Sequence, residues 1–322
     1  MDAFLPMLKN VILFVLLAVP GFILVKTKVL KQEHSGVFSK LLVYVGSPFF
    51  IIANMLKVDF TGDTIKGIFL ACLIYSVGIL ALYFLSYAFS IVKCDDAIEK
   101  RKKSNMMRFC EIFANNGFMG LPLALAVFPD NPTLMAFLIA ANIVNNIFMY
   151  TLGVGLTNDG KSKINAKQIL LNPVLIAFVV SIPLNLLNVK SYVPEIETYS
   201  GWLNNLVTPL AMTVLGMKMG GIKFSTIFSN KKMYVVSTAK LVVFPIVGIA
   251  LTLLVSLLLP SEKVNLVLCS FICFATPTAA LATTFADQYG GDTDGAAVYT
   301  LGTTLISVIT IPLLYMLLLQ II

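Results

Sequence analysis

The stretch EIFANNGFMGLPLALAVF, residues 111–128, sets carboxamides beside helix breakers in an otherwise apolar run. Asn115, Asn116 and Gly117 are followed by Gly120 and Pro122. A carboxamide donates two hydrogen bonds and accepts others without carrying charge. Proline removes a backbone donor and clashes with the preceding turn. Unwinding there frees backbone carbonyls and amides, and the half-helix that resumes presents unpaired N–H groups and a positive dipole end. The combination suits a carboxylate, because it attracts an anion without a permanent charge that would hinder release. FATPTAALATTF, residues 274–285, has the same character, with Pro277, Thr278 and Thr283. Two such breaks meeting at mid-depth make one anion site. Its substrate-binding residues are Asn115, Asn116, Gly117, Pro122, Asn146, Pro277, Thr278 and Thr283.

Other polar groups in apolar segments are candidates for the pathway or for coupling: Ser47, Asn142, Lys240, Thr304 and Glu111. Ser47 precedes Pro48, as Thr208 precedes Pro209. Asn142 belongs to a set with Asn145 and Asn146, and Thr304 to a set with Thr300 and Thr303. A charge inside a span is a functional hypothesis by default. Lys240 either snorkels to the interface on its long stem or faces the pathway. Glu111, read in the first turn of its helix near Arg108, either complements the helix dipole or relays a proton. Cys72, Cys269 and Cys273 fall in apolar runs as small hydrophobes. The five cysteines show no CxxC or metal spacing, and no Ser/His/Asp set lies within the spans, so neither a metal site nor an enzyme is expected.

The elements that must position these groups follow from composition. The chain of 322 residues is 58% hydrophobic and only 12% charged, with a mean hydropathy of +0.91. A soluble domain carries about a quarter charged residues. The expectation is an all-α polytopic membrane protein. A span needs roughly 20 apolar residues, and ten segments qualify: 4–25, 38–56, 67–91, 108–128, 132–156, 167–187, 200–220, 233–259, 264–286 and 295–320. The first lacks a cleavage site and reads as a span rather than a signal peptide. Connectors are short, and the largest, KCDDAIEKRKKSNMMR, reads as a solvated loop. The net charge of +7 lies in these connectors and does not point to nucleic acid. The loops after spans 1, 3, 5 and 7 hold 17 Lys and Arg, against 5 on the other side. The charge rule then makes these loops cytoplasmic, with both termini extracytoplasmic.

The halves 1–157 and 158–322 echo each other. Ser47-Pro48 and Thr208-Pro209 stand 161 residues apart, and Pro122 and Pro277 stand 155 apart. Five-helix repeats lie in the membrane with opposite orientation, and interrupted helices at matching positions point to a midplane substrate site. Spans 4 and 9 are the broken pair.

NNGFMGLPLALAVF in span 4, NPVLIAFVVSIPL opening span 6, VTPLAMTVLGMKMG in span 7, KLVVFPIVGIAL in span 8 and ATPTAALATTFADQYGGDTDGAAVYTLGTTLISVITIPLL across spans 9 and 10 resemble the auxin efflux carrier family, bacterial members and plant PIN-type carriers together. The likeness covers essentially the whole chain. It implies ten helices in two inverted repeats, with a scaffold from helices 1, 2, 6 and 7. Helices 3–5 and 8–10 would form the transport domain, with helices 4 and 9 crossing at their prolines. It also implies an elevator-like carrier of organic anions, auxin-like acids or small carboxylates such as malate or malonate, working as a homodimer. The family asparagine seven residues before the helix 4 proline falls on Asn115. Many relatives carry an asparagine shortly after the helix 9 proline, where this chain has Ala279, Ala280, Leu281 and Ala282, then Thr283 and Thr284. The plant carriers' long loop between helices 5 and 6 is replaced by TNDGKSKINAK. The expected function is a secondary transporter in the plasma membrane, partnered by a small organic anion and the lipid bilayer. It needs no cofactor, and its coupling ion is open between H+ and Na+. The alternative is a proton- or sodium-coupled cation carrier of the same architecture. That version wants ionised carboxylates at the crossing, and none is visible there.

Overall fold

The computed structural model describes residues 4–157 and 166–322. The described residues form helices and connecting turns, with no strand among them. Lys161 and Lys163, counted for orientation, lie outside the described residues, as does the start of the second predicted repeat at 158.

Six helices are long and apolar enough to cross a membrane: Leu8–Lys26, Gln32–Met55, Gly62–Phe89, Pro132–Thr157, Lys231–Leu258 and Thr293–Leu318. The other four predicted spans are helical and fall outside that group. Pro173–Leu186 is short, and Glu195–Gly220 carries Glu195, Glu197 and Lys218. The fourth and ninth spans are interrupted. The protein is therefore multi-pass and all-helical. Its polarity is reversed relative to a soluble domain. Phe69, Phe84, Ile91, Leu254 and Ile309 are exposed, while Asn115, Asn116, Asn142, Asn145, Thr276 and Thr278 are buried. Only an apolar solvent leaves aromatic and aliphatic side chains outside and gathers amides within.

Side-chain caps fix where several helices begin. Thr61 Oγ1 accepts from the Thr64 N–H at 3.1 Å, Asn131 Oδ1 from Leu134 at 2.9 Å and Asp292 Oδ1 from Gly295 at 3.0 Å. Each satisfies a first-turn donor that has no intrahelical partner. Asp96 does the same for Ile98 at 2.8 Å and opens the helix Ala97–Ile112. This corrects the reading of KCDDAIEKRKKSNMMR as loop. After its cap the segment is rich in Glu, Lys, Arg and Met, all strong helix formers, and Glu99 pairs with Lys103 one turn on. Hydrogen bonding to Lys103 holds the Glu99 carboxyl below its ordinary range, and Glu99 holds the Lys103 ammonium above its own.

Packing sorts the helices. Glu195–Gly220 packs against Val19–Lys26 and Ser47–Met55, and Pro173–Leu186 lies on Ser47–Met55. Gly62–Phe89 packs against Pro132–Phe148, Phe244–Val255 and Lys263–Ala275. The first set is drawn together at Gly21 and Gly216. A Cβ on Gly216 would stand 1.8 Å from the Ala18 carbonyl oxygen, and one on Gly21 would stand 2.0 Å from that of Thr213. Backbones in contact need small residues at the crossing, as is usual between helices in lipid.

Candidate functional site

The two interrupted helices cross. Ala97–Ile112 ends at Phe113, which is extended at φ −86° and ψ 125°, and helix resumes at Asn116. Lys263–Ala275 ends at Thr276, extended at φ −67° and ψ 148°, and helix resumes at Ala282. The short extended pieces pair antiparallel at Ala114 and Thr278. The Asn115 N–H donates to the Pro277 carbonyl at 2.8 Å, and the Ala279 N–H donates to the Phe113 carbonyl at 2.9 Å. Each break thus satisfies backbone groups that the other has freed, which lipid could not do.

The break lies earlier than the proline. Pro122 sits in the first turn of Leu121–Val127, which continues a wide helical turn, Asn116–Gly120. The half-helix start predicted after Pro122 is instead at Asn116. In the wide turn the Leu121 N–H bonds back to the Asn116 carbonyl, and the carbonyl of Asn115 accepts from both Met119 and Gly120 at 3.0 Å. The N–H groups of Asn116, Gly117 and Phe118 precede the first of these intrahelical bonds. The wider turn accommodates a ring that cannot donate and that crowds a regular helix.

Buried side chains lock the crossing. Asn145 Nδ2 donates to the Ala114 carbonyl at 3.1 Å, and Tyr75 Oη donates to Asn145 Oδ1 at 3.1 Å. Asn116 Nδ2 donates to Tyr75 Oη at 2.8 Å, and Thr276 Oγ1 donates to Asn116 Oδ1 at 3.0 Å. Thr278 Oγ1 donates to the Cys110 carbonyl at 2.7 Å, while the Thr278 N–H donates to Thr303 Oγ1 at 3.2 Å. Thr304 bonds its own helix, at the Thr300 carbonyl. Asn116, Pro277 and Thr278 therefore belong to the framework of the crossing, Pro122 and Thr304 sit within their own helices, and none of the five lines the cavity beside the crossing.

A cavity of about 750 Å³ opens beside it. Of the predicted site residues, Asn115, Gly117, Asn146, Thr283, Ser47 and Asn142 line it. Among the described residues the carboxamide of Asn115 has no hydrogen-bond partner, although the residue is only 5% exposed. Gly117 leaves the Asn142 amide close by, since a Cβ there would meet its Oδ1 at 3.4 Å. Thr300 also lines the cavity, and its hydroxyl oxygen is buried without a partner.

The three ionisable groups near the crossing do not behave as the sequence suggested. Glu111 lies in the last turn of Ala97–Ile112 rather than a first turn, because Asp96 starts that helix well before residue 108. It is fully buried, accepts from Ser90 Oγ at 3.0 Å through Oε2, and leaves Oε1 unpartnered. Arg108 turns away to lie over the rings of Tyr83 and Tyr87, with Nε donating to Ser86 Oγ at 3.0 Å. Lys240 is 0% exposed, which removes the snorkelling alternative. Its Nζ donates to the Ile112 carbonyl at 3.4 Å, at the negative end of the half-helix. Neither Glu111 nor Lys240 lines the cavity.

Sequence reasoning missed Lys218 by counting it among the loop cations. It stands in the last turn of Glu195–Gly220, lines the cavity, and donates from Nζ to the Ala280 carbonyl at 2.8 Å. The signal was available: a lysine flanked by methionines, VLGMKMGG, is an odd start for a solvated loop.

A family model described as membrane transport protein matches residues 6–315. An uncharacterized transporter of Methanocaldococcus jannaschii is 24% identical over 258 residues, covering 77% of this chain and 79% of the relative. The match runs through both breaks and every helix that supports them, and the chain belongs to this family of membrane transport proteins, the auxin efflux carriers.

Proposed function

We propose that the protein is a secondary carrier that moves a small organic anion across the plasma membrane by alternating access. The carrying observation is the cavity beside the crossing, which holds the unpartnered Asn115 carboxamide and the free first-turn N–H groups of Gly117 and Phe118. Donors without full charge favour an anion and still let it leave. In this reading ten spans form two inverted five-helix repeats, 1–157 and 158–322. Helices 1, 2, 6 and 7 are the scaffold, and helices 3–5 and 8–10 move past it as an elevator within a homodimer. The two packing sets described above are consistent with that division. The substrate class is an auxin-like acid or a mono- or dicarboxylate such as malate or malonate, with H+ or Na+ as the candidate coupling ion.

The test is uptake into proteoliposomes. Radiolabelled malonate, malate and indole-3-acetate are offered with and without proton and sodium gradients, beside liposomes lacking protein. Saturable uptake of one acid, competed by the unlabelled acid, is the expected result. Uptake of cations and of none of the acids would put the cation carrier in its place.

A further inference from the structure

We propose that Lys218 reads the substrate's negative charge in the cavity that Asn115 also lines, a role that rests on the organic-anion reading above. Four formally charged residues line the cavity: Glu33, Lys40, Asp287 and Lys218. The first three are exposed, whereas Lys218 is half-buried. Among the described residues no ion pair involves it. An ammonium has three donors, and the Ala280 carbonyl takes one of them at 2.8 Å. The two remaining donors have no protein acceptor among the described residues. A half-buried ammonium with no carboxylate partner leaves two donors for whatever occupies the cavity.

Position strengthens the assignment. Lys218 belongs to Glu195–Gly220, which packs with Val19–Lys26 and Ser47–Met55, while Ala280 lies in the second break. The Nζ–carbonyl bond therefore joins the two packing sets at the edge of the cavity. It also holds the ammonium near the crossing, because Pro277, three residues before Ala280, accepts the Asn115 N–H. An acid group entering the cavity meets neutral donors from Asn115 and its half-helix and one full positive charge from Lys218. Asn115 and its half-helix supply shape and partial charge; Lys218 supplies the sign.

The test uses the full chain purified in detergent, with malonate as the probe, replaced by malate or indole-3-acetate where malonate does not bind. Affinity is measured by calorimetry for the parent, Lys218→Met and Lys218→Arg, at low and high NaCl. Lys218→Met is expected to bind about tenfold or more weakly, the loss typical of a charge-assisted hydrogen bond. Lys218→Arg should recover most of it. The parent's affinity should also fall more steeply with salt than that of Lys218→Met, which a purely structural lysine would not produce. Should Lys218→Met fail to fold, acetylation of Lys218 in the parent by a water-soluble succinimidyl ester replaces it. Protection of that amine by the bound acid supports the role, and equal labelling with and without acid overturns it. Parent-like affinity in Lys218→Met overturns the role while leaving the anion carrier intact. Failure of the parent to bind any of the three acids overturns both.

Discussion

At the scale of single residues, the crossing separates amides that hold the protein from amides left over. Asn116 and Asn145 are bonded at both ends of their carboxamides, through Tyr75, Thr276 and the Ala114 carbonyl. Asn115 has its backbone tied to Pro277 and its side chain unpartnered at the cavity. An amide with no protein partner at the wall of a cavity has both its donors free for a ligand, and a visiting carboxylate would use them. Losing one hydrogen bond to a charged group costs about 1.5–3 kcal/mol, roughly 10- to 150-fold in affinity. Asn115→Ala should weaken acid binding by that order with little change in melting temperature, because no protein partner is lost. Asn115→Asp should bind more weakly still, since it sets a negative charge beside an anion. Titration of both purified variants against malonate decides: parent-like binding by Asn115→Ala, or tighter binding by Asn115→Asp, excludes Asn115 as a ligand. The same substitution at Asn116 should instead lower the melting temperature, because it strips Tyr75 and Thr276 of a partner.

At the scale of elements, what was legible in the sequence was whatever the solvent dictates. Long apolar runs announced the uninterrupted helices, and polar groups with Gly and Pro at one depth announced the two breaks. The exact place of a break was not legible, because it is set by pairing between distant segments. The unwound residues are 113–115 rather than those beside Pro122, and only the approach of Thr276–Ala279 explains why. The charged stretch after residue 93 misled for the opposite reason: its charge hid a capped helix with good local propensity. Lys218 was hidden because its charge is used inside the fold, and no local pattern says where a helix end will face. Close helix crossings were equally silent, and one gives a sharp test. Gly216→Ala would drive a Cβ to 1.8 Å from the Ala18 oxygen, so the Val19–Lys26 and Glu195–Gly220 helices must separate. Overpacking of this kind typically costs about 1–3 kcal/mol. Gly201→Ala on the same helix meets nothing within 4 Å and should gain helix propensity, about 0.5–1 kcal/mol. Melting of the two variants in one detergent should move in opposite directions, and a Gly216→Ala protein as stable as its parent would contradict the close crossing.

At the scale of the whole molecule, the structure alters the charge count behind the orientation without reversing it. Arg108 is buried under Tyr83 and Tyr87, and Lys218 faces the cavity, so neither is a loop cation. Those left on that side still outnumber the five opposite. Orientation follows Lys and Arg in short connectors near the span ends, and the densest group, Lys100 to Lys103, lies on the helix Ala97–Ile112, where Lys100, Arg101 and Lys102 are exposed. We therefore place that half-helix on the cytoplasmic side, with the connector near Lys66 outside. The prediction is tested on a variant whose five native cysteines are serine, carrying a single cysteine at Lys102 or at Lys66, both exposed positions. A membrane-impermeant maleimide added to intact cells should label the Lys66→Cys protein and spare the Lys102→Cys protein, which should react only after the membrane is permeabilised. The reverse pattern would turn the molecule over. It would also put the opening of the cavity, with Glu33, Lys40 and Asp287 at its exposed rim, on the outer face instead of the inner one.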